Sequence, residues 1–278
     1  MSAHNQVNAA GRAPRKSKLG QNFLVDTGAA RRLVDALGDI GNSIVIEVGP
    51  GRGALTKTLA ERAGRLVAVE FDRVLAEELR REFQGRANVE IVQADFLDIS
   101  LSEFLTPGGS KSSQGLKVVG NIPYYITSDI LLRLFEQNEW VDTIVVMVQR
   151  EVADRLVAEP GSRDYGLLTV TARLFSDIER LFTLPPGVFH PPPQVHSSVL
   201  RLRVVPKAAL LGVDSQEFLT FCKLAFAQKR KTLFNNLRRK FAAQKIETVL
   251  HTANVADKVR AEALSLNQLA EIYRTLRR

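Results

Sequence analysis

The chain has 278 residues, of which 45% are hydrophobic and 24% charged, with a net charge of +8. This composition is typical of a globular protein with room for one large domain, or for one medium and one small domain. No apolar run approaches the roughly 20 residues of a membrane span, a single cysteine excludes a disulfide framework, and the four histidines show no metal-ligand spacing, so we predict no metal site.

The N-terminal segment is basic. The first 25 residues contain no acidic side chain and include Arg12, Arg15, Lys16 and Lys18. They lack the apolar stretch of a signal peptide. We therefore expect residues 1–17 to form a flexible basic arm and the protein to be cytoplasmic.

Short β-rich runs alternate with helical patterns through the first two-thirds of the chain. The runs that indicate buried strands are residues 44–48, 66–70, 89–93, 117–120 and 143–148, followed later by 181–184 and 197–204. The helical stretches between them are residues 54–63, 72–83 and 128–138, and residues 106–115 indicate a loop. Such alternation predicts βαβ units, and so a parallel sheet with helices on both faces.

After residue 206 the pattern changes to short amphipathic helices without a strand signal. Residues 207–278 carry 14 basic and 6 acidic side chains, whereas residues 1–206 carry 24 of each. The whole net charge therefore lies in the last quarter of the chain. We predict a larger α/β domain at 1–206 and a small basic helical domain at 207–278. That basic charge fits a polyanion-binding module, and a merely solvated helical surface is the alternative.

Glycines and two acidic residues follow three of the predicted strands. Residues 47–53 read EVGPGRG, and Gly49 and Gly51 let a ligand approach the backbone closely. Glu70 ends the second strand, where a carboxylate can accept hydrogen bonds from both ribose hydroxyls of an adenosine. Asp95 follows the third strand and can accept from an adenine amino group. Each feature alone also fits a tight turn or a helix cap. Together they predict an adenosine-containing cofactor, either NAD or S-adenosylmethionine.

The fourth strand ends in residues 121–124, which read NIPY. An adenine N6 amino group is a poor nucleophile, because its lone pair is delocalised into the ring. Two acceptors on its hydrogens, the Asn121 side chain and a backbone carbonyl near Ile122, favour a pyramidal nitrogen. Pro123 holds such carbonyls rigidly, and Tyr124 offers a face on which a flipped base stacks. The motif predicts methyl transfer from S-adenosylmethionine to adenine N6, by positioning and without a metal.

These motifs resemble the KsgA/RsmA family of ribosomal RNA adenine N6-dimethyltransferases over nearly the whole chain. Further matches are residues 18–24 (KLGQNFL), 188–193 (VFHPPP) and 225–237 (AFAQKRKTLFNNL). The resemblance implies an α/β fold: a Rossmann-like class I methyltransferase sheet with helices on both faces, plus a small all-α C-terminal domain. It also implies that Asn22 and Leu24 contact the cofactor, and that Phe189 faces Tyr124 across the target adenine. Tyr125 replaces the Asn of enterobacterial members, so we expect it to affect how the pocket holds a monomethylated intermediate.

The predicted site has two parts. The cofactor-binding residues are Asn22, Leu24, Gly49, Gly51, Glu70, Asp95 and Asn121. The catalytic residues are Asn121, Pro123, Tyr124 and Phe189.

The resemblance implies dimethylation of two adjacent adenosines in the 3′-terminal hairpin of small-subunit ribosomal RNA. It implies that a monomer acts within the assembling small subunit and has a role in its biogenesis. One alternative is the large-subunit methyltransferase type that confers macrolide resistance, against which residues 228–237 argue. Another is a DNA adenine methyltransferase, which usually carries an acidic residue in place of Asn121. A ribosome-assembly factor whose binding matters more than its catalysis also stays open.

Overall fold

A computed structural model describes residues 22–105 and 115–277. Within these ranges the strands are β1 (Phe23–Leu24), β2 (Ile44–Val48), β3 (Arg65–Glu70), β4 (Val89–Gln93), β5 (Leu116–Asn121), β6 (Val141–Gln149), β7 (Ser176–Leu184), β8 (Phe189–His190) and β9 (Ser197–Val204). The helices are α1 (Thr27–Asp35), α2 (Thr56–Arg62), α3 (Arg73–Glu82), α4 (Thr127–Glu136), α5 (Arg150–Val157), α6 (Leu167–Phe175), α7 (Ala208–Leu211), α8 (Ser215–Ala225), α9 (Leu233–Leu237), α10 (Ala243–Thr252) and α11 (Leu266–Arg277). The predicted basic arm, and all but the last residue of the predicted loop at 106–115, lie outside the described residues.

Seven strands form one sheet in the order β4-β3-β2-β5-β6-β9-β7. β2 is parallel to both β3 and β5, β3 is parallel to β4, and β5 is parallel to β6. β9 is antiparallel to both of its neighbours, β6 and β7. The chain order reverses between β2 and β5, and the crevice beyond the carboxyl ends of such a pair is where open α/β sheets bind ligands.

Consecutive residues of the central strands pack on opposite faces of the sheet, as strand geometry requires. Ile44, Ile46 and Val118 join an apolar cluster with α4, α5 and α6. Val45 and Val119 join a second cluster with α1, α2 and α3. Both faces are thus covered by helices, which explains why the central strands are almost continuously apolar. The predicted fold class is confirmed.

The C-terminal helices continue the first of these clusters. Phe218 and Cys222 of α8 and Leu269 of α11 belong to it together with Leu174 of α6. The backbone N–H of Gly161, in the segment between α5 and α6, donates to the carbonyl of Glu262 at 2.7 Å. The described part of residues 207–278 contains helices and turns only, as predicted.

The edge strand β7 is longer than predicted, because it starts at Ser176 instead of residue 181. Its first half carries exposed charges that mask the strand pattern. Glu179 accepts a hydrogen bond from Arg201 of β9 at 2.6 Å, and Asp177 accepts one from Lys207 at 2.7 Å. The sequence analysis also left α1, α5, α6 and the two-residue strands β1 and β8 unassigned. Within the described residues, no helix is long and apolar enough to cross a membrane.

Candidate active site

A cavity of about 580 Å³ lies across the carboxyl ends of β4, β3, β2 and β5, a volume typical of small-molecule sites. Of the predicted residues, Asn22, Leu24, Gly49, Gly51, Glu70, Asp95, Asn121, Pro123 and Tyr124 line it. In strand order, Asp95 and Glu70 lie at one end, the glycine turn in the middle and Asn121 at the other. Three strand spacings separate the two ends, which is about 14 Å. The cavity can therefore hold an extended ligand with a different group over each strand.

The glycine turn after β2 needs a backbone that other residues rarely adopt. Gly49 and Gly51 have φ values of +66° and +58°, in the left-handed region that favours glycine. A Cβ on Gly51 would also lie 3.0 Å from the ring of Phe23 in β1. The guanidinium of Arg52 lies 4.8 Å from the centre of the same ring. β1 therefore packs directly against the turn and closes that side of the cavity.

Glu70, at the end of β3, is 3% exposed. Its Oε2 accepts the backbone N–H of Gly51 at 2.9 Å, and its Oε1 accepts that of Asp72 at 2.9 Å. Burial raises the pKa of Glu70, while the N–H groups of Asp72 and Gly51 lower it. A carboxylate has about four acceptor positions, so both oxygens can still accept from two further donors, such as neighbouring hydroxyls of a ribose.

Asp95 follows β4 and caps the turn after it, because its Oδ1 accepts the backbone N–H of Leu97 at 3.0 Å. The cap and the predicted adenine contact are compatible, since the side chain also lines the cavity. Phe71 lies at the same end and is 49% exposed. The sequence analysis missed Phe71, although an aromatic residue directly after the strand-ending Glu70 was a visible signal.

Asn121 ends β5, and the structure joins it to the N-terminal motif. Its side-chain Nδ2 donates to the backbone carbonyl of Asn22 at 3.1 Å. Because the nitrogen is engaged there, the carbonyl oxygen of the same amide is left to accept from a ligand. Asn22 therefore orients Asn121 through its backbone, which the spacing of 99 residues could not reveal.

The backbone after Asn121 is anchored on both sides. The N–H of Ile122 donates to the carbonyl of Met147 in β6 at 3.2 Å. The Pro123 carbonyl accepts the N–H of Ile126 and the hydroxyl of Thr127, both at 3.2 Å. Within the described residues, no hydrogen bond ends on the Ile122 carbonyl. The free acceptors at the end of β5 are thus the Asn121 side chain and the Ile122 carbonyl.

Tyr124 is held by a residue from a distant strand. Its hydroxyl lies 2.8 Å from the hydroxyl oxygen of Ser197, the fully buried first residue of β9. Partial burial raises the pKa of Tyr124, and the hydrogen bond to Ser197 opposes that rise. Neither this contact nor a role for Ser197 was predicted from the sequence. The contact depends on the sheet bringing β5 and β9 to opposite sides of β6.

The structure brings Leu24 and Phe189 together as a backbone pair between β1 and β8. Leu24 lines the cavity, but Phe189 is 3% exposed and belongs to the apolar cluster with Leu184 and Val199. It is not among the lining residues of the cavity. Direct stacking of Phe189 on the adenine therefore stays a prediction. In this structure its side chain packs in the apolar cluster that also contains Leu24 of β1.

Glu47 is a buried carboxyl group that the sequence analysis treated only as part of the glycine turn. It is 1% exposed and lines the cavity, and among the described residues neither of its oxygens has a hydrogen-bond partner within ordinary distance. Burial raises its pKa to about 8, against a lowering effect of Thr56 on α2. Glu47 is therefore mostly protonated at neutral pH.

Among the described residues, no group of three or more His, Cys, Asp or Glu side chains is placed to hold a metal ion. The side chains that line the cavity instead offer hydrogen-bond acceptors and apolar surface.

Two clusters of basic residues in the C-terminal part lie in turns and not on one helix. Lys229, Arg230 and Lys231 lie in the turn before α9, and residues 238–240 lie in the turn after it. All six are exposed, and within the described ranges none is ion-paired with a carboxylate. Phe226 and Phe234 pack against the apolar cluster next to these turns. The two basic turns thus flank one short helix, α9.

The sequence matches the family described as ribosomal RNA adenine dimethylase over residues 13–278. A ribosomal RNA small subunit methyltransferase A from Koribacter versatilis is 51% identical over 271 residues, which cover 95% of each chain. The protein of the same name from Chlorobium phaeobacteroides is 39% identical over 94% of each chain.

Two solved structures share the fold. A dimethyladenosine transferase from Plasmodium falciparum has a TM-score of 0.75 at 23% identity, covering 90% of this chain and 95% of that one. The 23S rRNA methyltransferase ErmE has a TM-score of 0.68 at 28% identity, covering 92% of this chain and 100% of that one. The family match spans nearly the whole sequence, and all of the predicted site residues except Phe189 line the cavity. The chain therefore belongs to the ribosomal RNA adenine dimethylase family.

Proposed function

We propose that this protein transfers two methyl groups from S-adenosylmethionine to N6 of each of two adjacent adenosines in small-subunit ribosomal RNA. The observation that carries the proposal is the amide of Asn121. Its nitrogen donates to the Asn22 carbonyl at 3.1 Å, and among residues 22–105 and 115–277 its oxygen has no hydrogen-bond donor. An acceptor fixed in this way on the cavity wall suits an amino group that must give up its planarity.

The cavity fits the proposed cofactor group by group. Asp95 is placed for the adenine amino group, and Glu70 for the ribose hydroxyls. The glycine turn leaves its backbone open to the methionine part, and Leu24 and Asn22 close the site from β1 and the residue before it. When bound, S-adenosylmethionine supplies an activated methyl group, so the protein has to position the acceptor and exclude water.

The acceptor nitrogen is activated by two oxygens. Asn121 Oδ1 and the Ile122 carbonyl accept the two N6 hydrogens, which localises the lone pair on nitrogen. Tyr124, pinned by Ser197, supplies the face on which the adenine ring stacks. Each methyl transfer leaves a positive charge on N6, which is lost when N6 releases one proton to water. After the first transfer N6 therefore keeps one hydrogen, so a single acceptor serves the second transfer.

The small ribosomal subunit is the proposed substrate because of the names of similar proteins. Relatives between 38% and 52% identical over more than 90% of this chain are named ribosomal RNA small subunit methyltransferase A. The similarity to ErmE shows that the fold alone does not separate small- from large-subunit substrates. We propose that the enzyme acts in the cytoplasm as a monomer on the assembling small subunit, with the basic turns around α9 on ribosomal RNA.

The proposal is tested by methyl transfer from labelled S-adenosylmethionine to small subunits that lack the modification, with the modified bases mapped afterwards. Unmethylated large subunits and already methylated small subunits are the controls. We expect N6,N6-dimethyladenosine at two adjacent positions of the small-subunit RNA only. Label in the large subunit, or an active enzyme that modifies another atom, would overturn the assignment.

A further inference from the structure

Tyr125 is a large aromatic side chain at the mouth of the cavity. It is 58% exposed and lines the cavity, next to Tyr124 in the turn that follows β5. Tyr124 is directed inward, since its hydroxyl is bound to buried Ser197. The two consecutive rings therefore face different surroundings, one inside the pocket and one on its rim.

Two exposed aromatic rings border this cavity, and they lie at different ends. Phe71 follows Glu70 at the end of β3, on the side of the proposed adenosine contacts. Tyr125 lies beyond Asn121 at the end of β5, and β2 separates the two strands. The carboxyl ends of β3 and β5 are therefore two strand spacings apart, which is about 10 Å. Phe71 is thus placed for the cofactor and Tyr125 for the methyl acceptor.

Exposure of Tyr125 also separates it from the inner pocket. Within the described residues, its hydroxyl makes no hydrogen bond to the protein, and the ring packs into neither apolar cluster. A side chain on the rim is poorly placed to hold a methyl group on N6. The effect of Tyr125 on the monomethylated intermediate stays a prediction, and the exposure of the ring favours a contact with the RNA strand.

An adenine that enters the pocket leaves its neighbours in the strand without a stacking partner. We propose that Tyr125 binds the unpaired base next to the target adenine by stacking, as a second base site on the rim. This inference rests on the proposed function, because it needs an RNA strand at the Asn121 end of the cavity. A stacked base contributes roughly 1–3 kcal/mol and tolerates any base identity. The site therefore acts on capture of the strand and leaves the transfer step unchanged.

The test measures transfer to unmethylated small subunits at several subunit concentrations, with saturating labelled cofactor. Tyr125→Ala and Tyr125→Leu should raise the half-saturating subunit concentration roughly 5- to 150-fold. The saturated rate should stay near that of the wild type. Tyr125→Phe keeps the ring and should keep the half-saturating concentration near that of the wild type. Because Phe and Leu are both apolar, a difference between Tyr125→Phe and Tyr125→Leu distinguishes stacking from apolar contact. Val74→Ala, at an exposed residue of α3 that does not line the cavity, is the matched control.

A photocrosslinker identifies the occupant directly. With p-benzoylphenylalanine placed at position 125, irradiation of the complex with small subunits should crosslink the nucleotide next to the mapped target adenosine. A crosslink only to a ribosomal protein, or none in an active enzyme, would overturn the proposal. So would a changed ratio of monomethylated to dimethylated product with unchanged half-saturation, or weaker cofactor binding. Absence of transfer by the wild type would instead refute the proposed function.

Discussion

The two ends of the cavity are built in different ways. The cofactor end comes from three strands that are consecutive in the chain, β2, β3 and β4, and each contributes one feature at or just after its end: the glycine turn, Glu70 and Asp95. The acceptor end is assembled from remote segments, because Asn121 is oriented by Asn22 and Tyr124 by Ser197. A site made from local units can be read from sequence motifs, whereas a site made from remote contacts depends on the whole sheet.

The largest effect should come from Asn121, because its loss removes one of the two proposed acceptors for the N6 hydrogens. Asn121→Ala should lower the single-turnover rate roughly 100- to 1,000-fold, by analogy with the loss of one aligned transition-state hydrogen bond. Binding of the ribosomal particle should survive. Asn121→Asp keeps the acceptor oxygen but loses the N–H donor to Asn22. Its single-turnover rate should therefore lie between those of the wild type and Asn121→Ala. A normal rate with weakened particle binding in Asn121→Ala would show that Asn121 only binds.

Glu47, at the cofactor end, should make the stability of the protein depend on pH. Its pKa of about 8 in the folded protein exceeds the ordinary value of 4.5, because the group is buried. The folded state therefore holds a proton that the unfolded state releases, and stability falls as pH rises between roughly 5 and 8. The slope is at most about 1.4 kcal/mol per pH unit. Glu47→Gln should reduce it, as measured by chemical denaturation at each pH. Identical slopes in both proteins would contradict the assignment.

Substitution of Glu70 should weaken binding of the cofactor and leave binding of the methyl acceptor unchanged. Hydrogen bonds to charged groups contribute about 1.5–3 kcal/mol, so Glu70→Ala should weaken S-adenosylmethionine binding roughly 10- to 150-fold. Calorimetry in the presence of EDTA measures this affinity. Glu70→Gln keeps an oxygen acceptor and controls for damage to the turn, since the carboxylate also binds the N–H groups of Gly51 and Asp72. Unchanged affinity in a folded Glu70→Ala protein would remove Glu70 from the site.

The basic turns around α9 should affect binding of the ribosomal particle without changing either end of the cavity. Replacing Arg230, Lys231, Arg238 and Arg239 with alanine should weaken particle binding and flatten its dependence on salt. The log–log slope should change by roughly 0.7–0.9 for each phosphate that the variant no longer neutralises.

A matched control removes the same charge from the other domain, by alanine at Arg31, Lys57, Arg62 and Arg73. It should leave the salt slope near that of the wild type. If both quadruple variants bind like the wild type, these charges only solvate the surface. Cofactor affinity should stay unchanged in both.

The smallest effect should come from the contact between Tyr124 and Ser197. Removing one neutral hydrogen bond costs about 0.5–1.5 kcal/mol, so Tyr124→Phe and Ser197→Ala should each slow transfer roughly 2- to 13-fold. The double variant should be no slower than either single one, because both remove the same contact. Ser198→Ala is the control, since Ser198 pairs with Thr183 at 3.0 Å and not with Tyr124. Additive effects of the two substitutions would show that they act independently.

The sequence by itself determined the local parts of this protein. The predicted bounds of β2, β4 and β9 agree with the structure, because β-branched and other apolar residues recur along all three. Gly49, Gly51, Glu70 and Asp95 were predictable because each follows its own strand, and parallel strands bring their carboxyl ends to one edge. The charge of residues 207–278 was likewise visible without a fold.

The tertiary structure decided what depends on contacts between remote segments. β1 and β8 are two residues each and too short to show a period, so only their pairing defines them. The burial of Phe189, the orientation of Asn121 by Asn22 and the exposure of Tyr125 follow from that pairing and from the sheet order. The basic clusters lie in turns because α9 is only five residues long. Sequence patterns report the faces of single elements, whereas contacts between elements are set by how those faces pack.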